Sequence, residues 1–89
     1  MIVIPDTSFY DDFERIRDKN IIRRAMGSIE KLEAANSLRE ISNIKSMQGY
    51  PGFYRLRFGD FRIGFRLVDE NTIKLLAIEH RSAFYRGFP

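Results

Sequence analysis

Four arginines in the second half of the 89-residue chain are spaced so that they share one face of a β-hairpin. Apolar and polar residues alternate on both sides of Gly59-Asp60, which has the length and composition of a two-residue hairpin turn. A turn of that length sets the pairing register and places Arg57 opposite Arg62. Four side chains then project away from the apolar face: Arg55, Arg57, Arg62 and Arg66.

This cationic face predicts an anionic ligand. Like charges directly opposed across two strands destabilise a sheet, so folding alone does not explain Arg57 opposite Arg62. Guanidinium groups match phosphate oxygens in bidentate fashion, and we expect no carboxylate on the same face. Gly64, opposite Arg55, is expected to leave bare backbone that a ligand approaches. The competing interpretation is a solvated face that only keeps the protein soluble, although such faces usually mix both signs.

Three residues near the end of the chain are further candidates for chemistry. His80 is the only histidine, and it ends the third strand of the predicted sheet, directly before Arg81. If that strand lies beside the second, His80 and Arg81 approach the arginines. Tyr85 follows, as a core aromatic, a base-stacking platform or a proton donor, and the spacing leaves these alternatives open. A single histidine is more often structural than catalytic.

The sequence contains no motif for a metal or a cofactor. It has no cysteine, no glycine-rich phosphate loop followed by lysine, and no Gly-x-Ser-x-Gly. The adjacent carboxylates Asp11 and Asp12 fall on a predicted helix surface, where they suit the helix dipole. We therefore expect chemistry that needs neither a metal ion nor a cofactor.

Length and composition indicate one small domain over residues 1–89. The net charge of +3 arises entirely from residues 50–89, which also hold nine of the twelve Phe and Tyr residues. The longest apolar runs are far shorter than a membrane span, and the start MIVIP does not resemble a signal peptide. These features favour a cytoplasmic protein that does not contact a membrane.

The first half of the chain predicts a short strand and two helices. The apolar run 1–4 ends at a proline and indicates the strand, after which Thr7 or Ser8 is expected to cap the first helix. The second helix ends at Asn36 and Ser37, and a short link makes an antiparallel helix hairpin of the pair. Its apolar stripe is Ile22, Ala25, Met26, Ile29 and Leu32.

The second half predicts a three-stranded antiparallel meander. Residues 38–49 fit either a short helix or an anchored coil, so their conformation stays open. After the arginine hairpin, a turn at 69–71 leads to a third strand over 72–80, whose apolar middle favours an interior position. A short aromatic and basic tail follows. The predicted fold class is α+β, in the order β-α-α-β-β-β, with the helices packed on one face of the sheet.

These elements and motifs resemble the RelE/ParE superfamily of bacterial toxins. The resemblance rests on the hairpin YRLRFGDFRIGF, on Ile44-Lys45 with Gly49 upstream, and on the closing HRSAFYRGFP. It spans nearly the whole chain and implies the toxin of a type II toxin–antitoxin pair. The RelE-like branch cleaves mRNA in the ribosomal A site, where the 2′-hydroxyl attacks the neighbouring phosphate without a metal and leaves a 2′,3′-cyclic phosphate. The implied partners are a cognate antitoxin, mRNA and the ribosome with its 16S rRNA.

The resemblance also implies roles for individual residues. The best-known members carry lysines on the first hairpin strand, where this chain has Arg55 and Arg57. Arginine stays protonated and is a poor general base. Our hypothesis is that these arginines and Arg62 stabilise the phosphorane, that His80 or Tyr85 moves the proton, and that Arg81 assists the leaving oxygen. The implied catalytic residues are Arg57, Arg62, His80, Arg81 and Tyr85, and the implied phosphate-binding residues are Lys45, Arg55, Arg66 and Arg86.

Two alternatives remain open from the sequence. A ParE-like inhibitor of DNA gyrase shares the fold, although such relatives generally lack the complete set of two arginines and a tyrosine. A catalytically silent module that binds RNA or the antitoxin needs many of the same charges. The implied antitoxin is expected to cover the helix hairpin or the arginines with an amphipathic helix and acidic residues.

Overall fold

A computed structural model describes all of residues 1–89 as a five-stranded sheet with three α-helices. None of the helices combines the length and the apolar character that a membrane span requires. The elements in chain order are β1 (Ile2–Pro5), α1 (Thr7–Glu14), α2 (Lys19–Ala34), one 3₁₀ turn (Leu38–Glu40), β2 (Ile44–Ser46), β3 (Phe53–Phe58), β4 (Phe61–Asp69), β5 (Thr72–His80) and α3 (Arg81–Gly87).

The strands lie in the order β1-β5-β4-β3-β2, so β4 is central and β5 is interior. β1 pairs with β5 in parallel, and all other neighbours are antiparallel. The predicted α+β class and the β3-β4-β5 meander are confirmed. The hairpin register is also as predicted, with Arg57 opposite Arg62 and Phe58 opposite Phe61 across the Gly59-Asp60 turn.

The strand β2 was not predicted, and it occupies part of the segment whose conformation the sequence left open. It pairs with β3 and places Lys45 opposite Arg55. The turn that follows it contains Gly49 and Gly52, both at φ +84°, a conformation that favours glycine. Three residues are too few to show a period of two, so only the pairing with β3 defines this strand.

One face of the sheet carries the hydrophobic core under α1 and α2. Both helices contribute to this single core, α1 along β5 and α2 against β1 and β3. Met26 departs from the predicted stripe and is exposed, because the buried side of α2 runs through Ala25, Ser28 and Leu32. The fully buried core residues of the sheet are Leu56, Ile63, Phe65, Ile73, Leu75 and Ile78.

The helix caps differ from the predicted ones. Asp6, and not Thr7 or Ser8, caps α1, and its carboxylate accepts a hydrogen bond of 2.9 Å from the Ser8 hydroxyl. That hydrogen bond, with Lys74 nearby, lowers the pKa of Asp6. Asp18 caps α2, which ends at Ala34 with Ala35 as its C-cap. Aspartate is a favoured N-cap residue because its carboxylate accepts hydrogen bonds from N–H groups that the helix leaves free.

The two predicted helices share one face of the sheet, as expected, whereas the third helix, α3, was not predicted and lies on the other face. A Cβ atom built at Gly64 would lie 2.7 Å from the Phe88 ring, which therefore rests directly on the glycine backbone. The Phe88 ring also meets Phe53, at 6.1 Å between centroids, and Phe84 of α3, at 5.1 Å. The expectation that Gly64 offers open backbone to a ligand is wrong, because the end of the chain covers it.

Candidate functional site

The side of the sheet opposite the core is strongly basic. We call it the arginine face and define it by five residues, Lys45 on β2, Arg55 and Arg57 on β3, and Arg62 and Arg66 on β4. The strand registers place all of them on this side. The strand β2 therefore extends the face by one cation beyond the hairpin.

None of these five cations forms an ion pair with a carboxylate. The ion pairs of the molecule join Arg15 to Asp12, Lys74 to Asp6 and Arg81 to Asp60, and none involves the arginine face. One carboxylate does lie on this side, contrary to expectation, because Glu79 on β5 is the register partner of Arg62. It forms no ion pair there. Lys74 in turn faces Arg66, so the pairing of β4 with β5 adds one charge of each sign.

Arg62 is held in place by the backbone of the hairpin turn. Its Nη1 donates to the carbonyl oxygens of Gly59 at 3.1 Å and Phe61 at 3.0 Å. Its Nε is buried and has no acceptor. A buried donor without a partner costs about 1–3 kcal/mol, and Arg57 directly opposite adds like-charge repulsion. Stability alone therefore does not favour arginine at this position.

Arg81 reaches the same turn from the first residue of α3. Its backbone N–H donates to the Asp60 carbonyl at 2.7 Å, and its Nε lies 3.7 Å from the Asp60 carboxylate. Phe58 and Phe61 flank this turn, and Arg57 and Arg62 lie one residue further along the two strands. Three arginines predicted as catalytic, Arg57, Arg62 and Arg81, therefore lie at or near the turn end of the hairpin.

Aromatic residues in α3 and directly after it anchor the helix to the arginine face. Phe84 and Phe88 are buried, whereas Tyr85 between them is 53% exposed. The Tyr85 ring packs edge-on against Phe84 at 5.0 Å between centroids. Tyr85 is therefore not a core aromatic, which removes one of the three alternatives. Arg86 is exposed, and its Nη2 donates to the Ser82 carbonyl at 3.1 Å.

His80 does not approach the arginine face. It is the register partner of Phe61, on the core side of the sheet, and the two rings meet edge-on at 5.6 Å. The cause is a β-bulge. Gly64 pairs with Ala77 but Phe65 pairs with Leu75, so an extra residue in β5 reverses its alternation before His80.

The imidazole of His80 has a structural role at its observed position. It is the N-cap of α3, where Nδ1 accepts the backbone N–H of Ser82 at 3.1 Å and lies 2.9 Å from the Ser82 hydroxyl. A free helix N–H group is thereby satisfied.

A shallow basin of about 320 Å³ lies on the arginine face near the β2–β3 edge. It contains no apolar side chain, and its lining residues are Ser42, Asn43, Lys45, Arg55, Arg57 and Gly59. Asn43 is a residue that the sequence did not single out. Its side-chain amide donates to the Arg57 carbonyl, and its own carbonyl accepts the Arg57 N–H at 3.0 Å, which fixes the backbone of that arginine.

Comparisons with known proteins show the family to which this chain belongs. The family model for the ParE toxin of the parDE type II toxin–antitoxin system matches residues 3–85. The chain is also 33% identical, over 90 residues and the full length of both proteins, to Toxin RelE3 of Methanocaldococcus jannaschii. The chain belongs to the RelE/ParE family of type II toxins.

Solved structures agree with this assignment. A chain of the RelB-RelE antitoxin-toxin complex from Methanococcus jannaschii is 30% identical with a TM-score of 0.79, and the match covers 97% of this toxin and 99% of that chain. A chain of the archaeal RelE-RelB complex from Pyrococcus horikoshii OT3 has a TM-score of 0.71 at 22% identity, covering 93% and 97%. The second match supports the fold alone.

The arginine face of this RelE/ParE toxin is suited to stabilising negative charge. Permanently charged guanidinium groups surround a shallow surface, and the exposed phenol of Tyr85 stands on the helix that covers part of the same face. Such donors stabilise negative charge that develops on a phosphate.

Proposed function

We propose that this toxin is an endoribonuclease that cleaves mRNA on the translating ribosome. The observation that carries the proposal is the group of guanidiniums without carboxylate partners on the arginine face, Arg55, Arg57 and Arg62. A group of this kind is unfavourable for folding and well suited to a phosphate whose charge increases during reaction. Family membership supports the toxin role, and we propose RNA cleavage as the activity of this toxin.

The proposed reaction is an intramolecular transesterification. The 2′-oxygen forms a bond to the adjacent phosphorus, the bond from phosphorus to O5′ breaks, and the products are a 2′,3′-cyclic phosphate and a 5′-hydroxyl. Arg55, Arg57 and Arg62 neutralise the pentavalent phosphorane. Lys45, Arg66 and Arg86 are proposed to bind flanking phosphates.

Proton transfer in this proposal falls to Tyr85 and not to His80. In its phenolate form Tyr85 takes up the proton of the attacking 2′-hydroxyl and becomes a neutral phenol, and the leaving O5′ takes a proton from solvent beside the Arg81 guanidinium. His80 lies across the sheet, and its Nδ1 is occupied by the Ser82 N–H. Its role in the proposal is therefore to hold the start of α3, which carries Arg81 and Tyr85.

We also propose a cognate antitoxin as the protein partner. The two solved complexes described above contain RelB antitoxins with their toxins. An antitoxin with acidic residues would neutralise the arginine face, while an amphipathic helix would cover apolar surface along α1 and α2.

Inhibition of DNA gyrase is the second candidate function. It is favoured by one observation, namely that the matching family model is that of the ParE toxin. The two functions differ in what they damage, since a nuclease stops translation and a gyrase inhibitor breaks DNA.

The deciding experiment is to express the toxin alone in a bacterial host and to follow protein synthesis and mRNA ends. We expect rapid translational arrest with new in-frame 5′ ends on an abundant mRNA, and loss of both effects in an Arg62→Ala/Tyr85→Ala variant. The matched control is Arg17→Ala/Tyr10→Ala, because both residues are exposed and lie outside the arginine face. Intact mRNA together with an SOS-type DNA response would instead assign the toxin to gyrase.

A further inference from the structure

Basic residues continue from the arginine face beyond the edge of the sheet, onto α2. A second shallow basin of about 400 Å³ lies between β3 and α2, and it shares Asn43, Arg57 and Gly59 with the basin on the arginine face. Its remaining lining residues are Arg24, Gly27, Ser28, Lys31 and Phe58. No carboxylate lines either basin. The two basins therefore form one continuous surface around the end of the hairpin.

Arg24 is fixed on this surface by the hairpin turn. Its guanidinium carbon lies 5.7 Å from the centroid of the Phe58 ring. This cation–π interaction favours a position of the guanidinium over the ring. Its Nη1 would lie 2.8 Å from a Cβ atom at Gly59, whose φ of +56° also favours glycine. The guanidinium makes no ion pair. Arg24 is thus positioned by packing, with its charge left available.

The spacing of residues on α2 continues the surface from Arg24 to Lys31. The positions i, i+3, i+4 and i+7 share one side of a helix, and here they are Arg24, Gly27, Ser28 and Lys31. Gly27 has no side chain, and Ser28 turns its hydroxyl back to the Arg24 carbonyl at 3.1 Å. The floor between the two cations is therefore flat and open.

We infer that this surface, which we call the basic track (Lys45, Arg55, Arg57, Arg24 and Lys31), binds the backbone of an RNA strand that extends beyond the reacting phosphate. The inference rests on the proposed function of the arginine face. For the part of the track beyond the arginine face, an acidic protein is a poorer fit, because Phe58 is the only apolar residue that lines it and is itself buried. Protein interfaces have an apolar core, whereas phosphate contacts need only cations and polar groups.

A charge series at Gly27 tests the track without disturbing it. A Cβ atom at Gly27 meets nothing within 4 Å, and any of the three substitutions improves helix propensity over glycine. Binding of an uncleavable 2′-O-methyl RNA of sixteen nucleotides should weaken in the order Gly27→Lys, Gly27→Gln, Gly27→Glu. We expect roughly five-fold per step at 0.1 M salt, the effect of about one phosphate contact on single-stranded RNA.

A four-nucleotide RNA distinguishes a track from a general field of charge. This short RNA occupies the arginine face alone, so the Gly27 series should change its affinity less than two-fold. Equal effects on both lengths would overturn the inference. The inference would also be overturned if the Gly27 series changed the affinity for a poly-glutamate peptide more than the affinity for the sixteen-nucleotide RNA. That result would assign the surface to an acidic protein.

Two double variants separate this inference from the proposed function. Arg24→Gln/Lys31→Gln should lower the salt dependence of sixteen-nucleotide binding by about 1.4 in logarithmic slope, whereas Arg17→Gln/Lys19→Gln, with the same charge change elsewhere, should not. Arg55→Gln/Arg62→Gln should weaken both RNA lengths. If only this last variant weakens binding, the track is wrong and the proposed function stands. If it weakens neither length, both are wrong.

Discussion

The arginine face concentrates unfavourable interactions on single residues, and Arg62 is the clearest example. Its Nε is buried without an acceptor, and a second arginine lies directly opposite. These costs identify a residue retained for function. They also allow function and stability to be separated by substitution, since removing the charge removes the costs.

The first prediction concerns Arg62→Met. We expect the cleavage rate to fall by about 10²–10³-fold, as for loss of a donor that stabilises a transition-state anion. The free energy of unfolding should stay unchanged or rise by up to about 1 kcal/mol. Single-turnover cleavage and urea denaturation measure the two effects. The control is Arg39→Met, at an exposed residue of the 3₁₀ turn, and a marked loss of stability in Arg62→Met alone would contradict the argument.

The second prediction concerns His80, whose imidazole caps α3. Asparagine is a good N-cap, so His80→Asn should keep the cleavage rate within about two-fold. His80→Ala loses the cap and should lower the free energy of unfolding by about 1 kcal/mol. Cleavage rates across pH 5–8 provide the check. A large rate loss in His80→Asn, with unchanged stability, would return the proton-transfer role to the histidine.

At the scale of elements, the position of α3 depends on a contact between an aromatic ring and a glycine. Phe88 rests on Gly64, and Phe53 and Phe84 surround it. Any side chain on Gly64 would push Phe88, and with it α3, away from the sheet. Arg81 and Tyr85 would then move relative to the hairpin arginines.

The third prediction follows from this contact. Gly64→Ala should lower the free energy of unfolding by about 1–3 kcal/mol, the usual cost of overpacking, and should also slow cleavage. In a Phe88→Ala background the same substitution should cost at least about 1 kcal/mol less, because the ring that it meets is gone. A double-mutant cycle by urea denaturation measures this coupling. Simple additivity would show that Phe88 does not occupy the glycine surface.

At the scale of the whole molecule, two carboxylates with lowered pKa values make the stability depend on pH in the acid range. Asp6 caps α1, forms an ion pair with Lys74 of β5 at 3.4 Å, and has a lowered pKa because of the Ser8 hydroxyl above all. The pKa of Asp69 is lowered chiefly by the Asn71 N–H, in the β4–β5 turn. The unfolded chain therefore takes up protons at a higher pH than the folded one.

The fourth prediction is the resulting pH dependence. The stability that these carboxylates contribute should be complete above about pH 5 and should be lost as the pH falls below about 4, through their lowered pKa values. Asp6→Asn keeps the cap and removes the titration, so the difference in unfolding free energy between pH 7 and pH 3 should shrink. Asp11→Asn, an exposed change on the same helix, serves as the control. An unchanged difference in Asp6→Asn would contradict the assignment.

The faces and the central strands of the sheet were determined largely by local sequence pattern. Strict alternation around a two-residue turn fixed the faces of β3 and β4, since a register slip of one residue would bury the arginines and expose the core. The positions of Arg55, Arg57, Arg62 and Arg66 on one face were predictable for that reason. The interior position of β5 was predictable as well, from its apolar middle.

Only the tertiary structure decided what surrounds that face. The bulge in β5 moved His80 to the core side, and the short strand β2 brought in Lys45. Arg24 of α2 packs against the turn at Gly59, and Phe88 covers Gly64. Each of these outcomes depends on contacts between residues far apart in the chain, or on one residue inserted into an otherwise regular strand. A period of two or of 3.6 carries no information about either, because it describes neighbours along the chain and not across space.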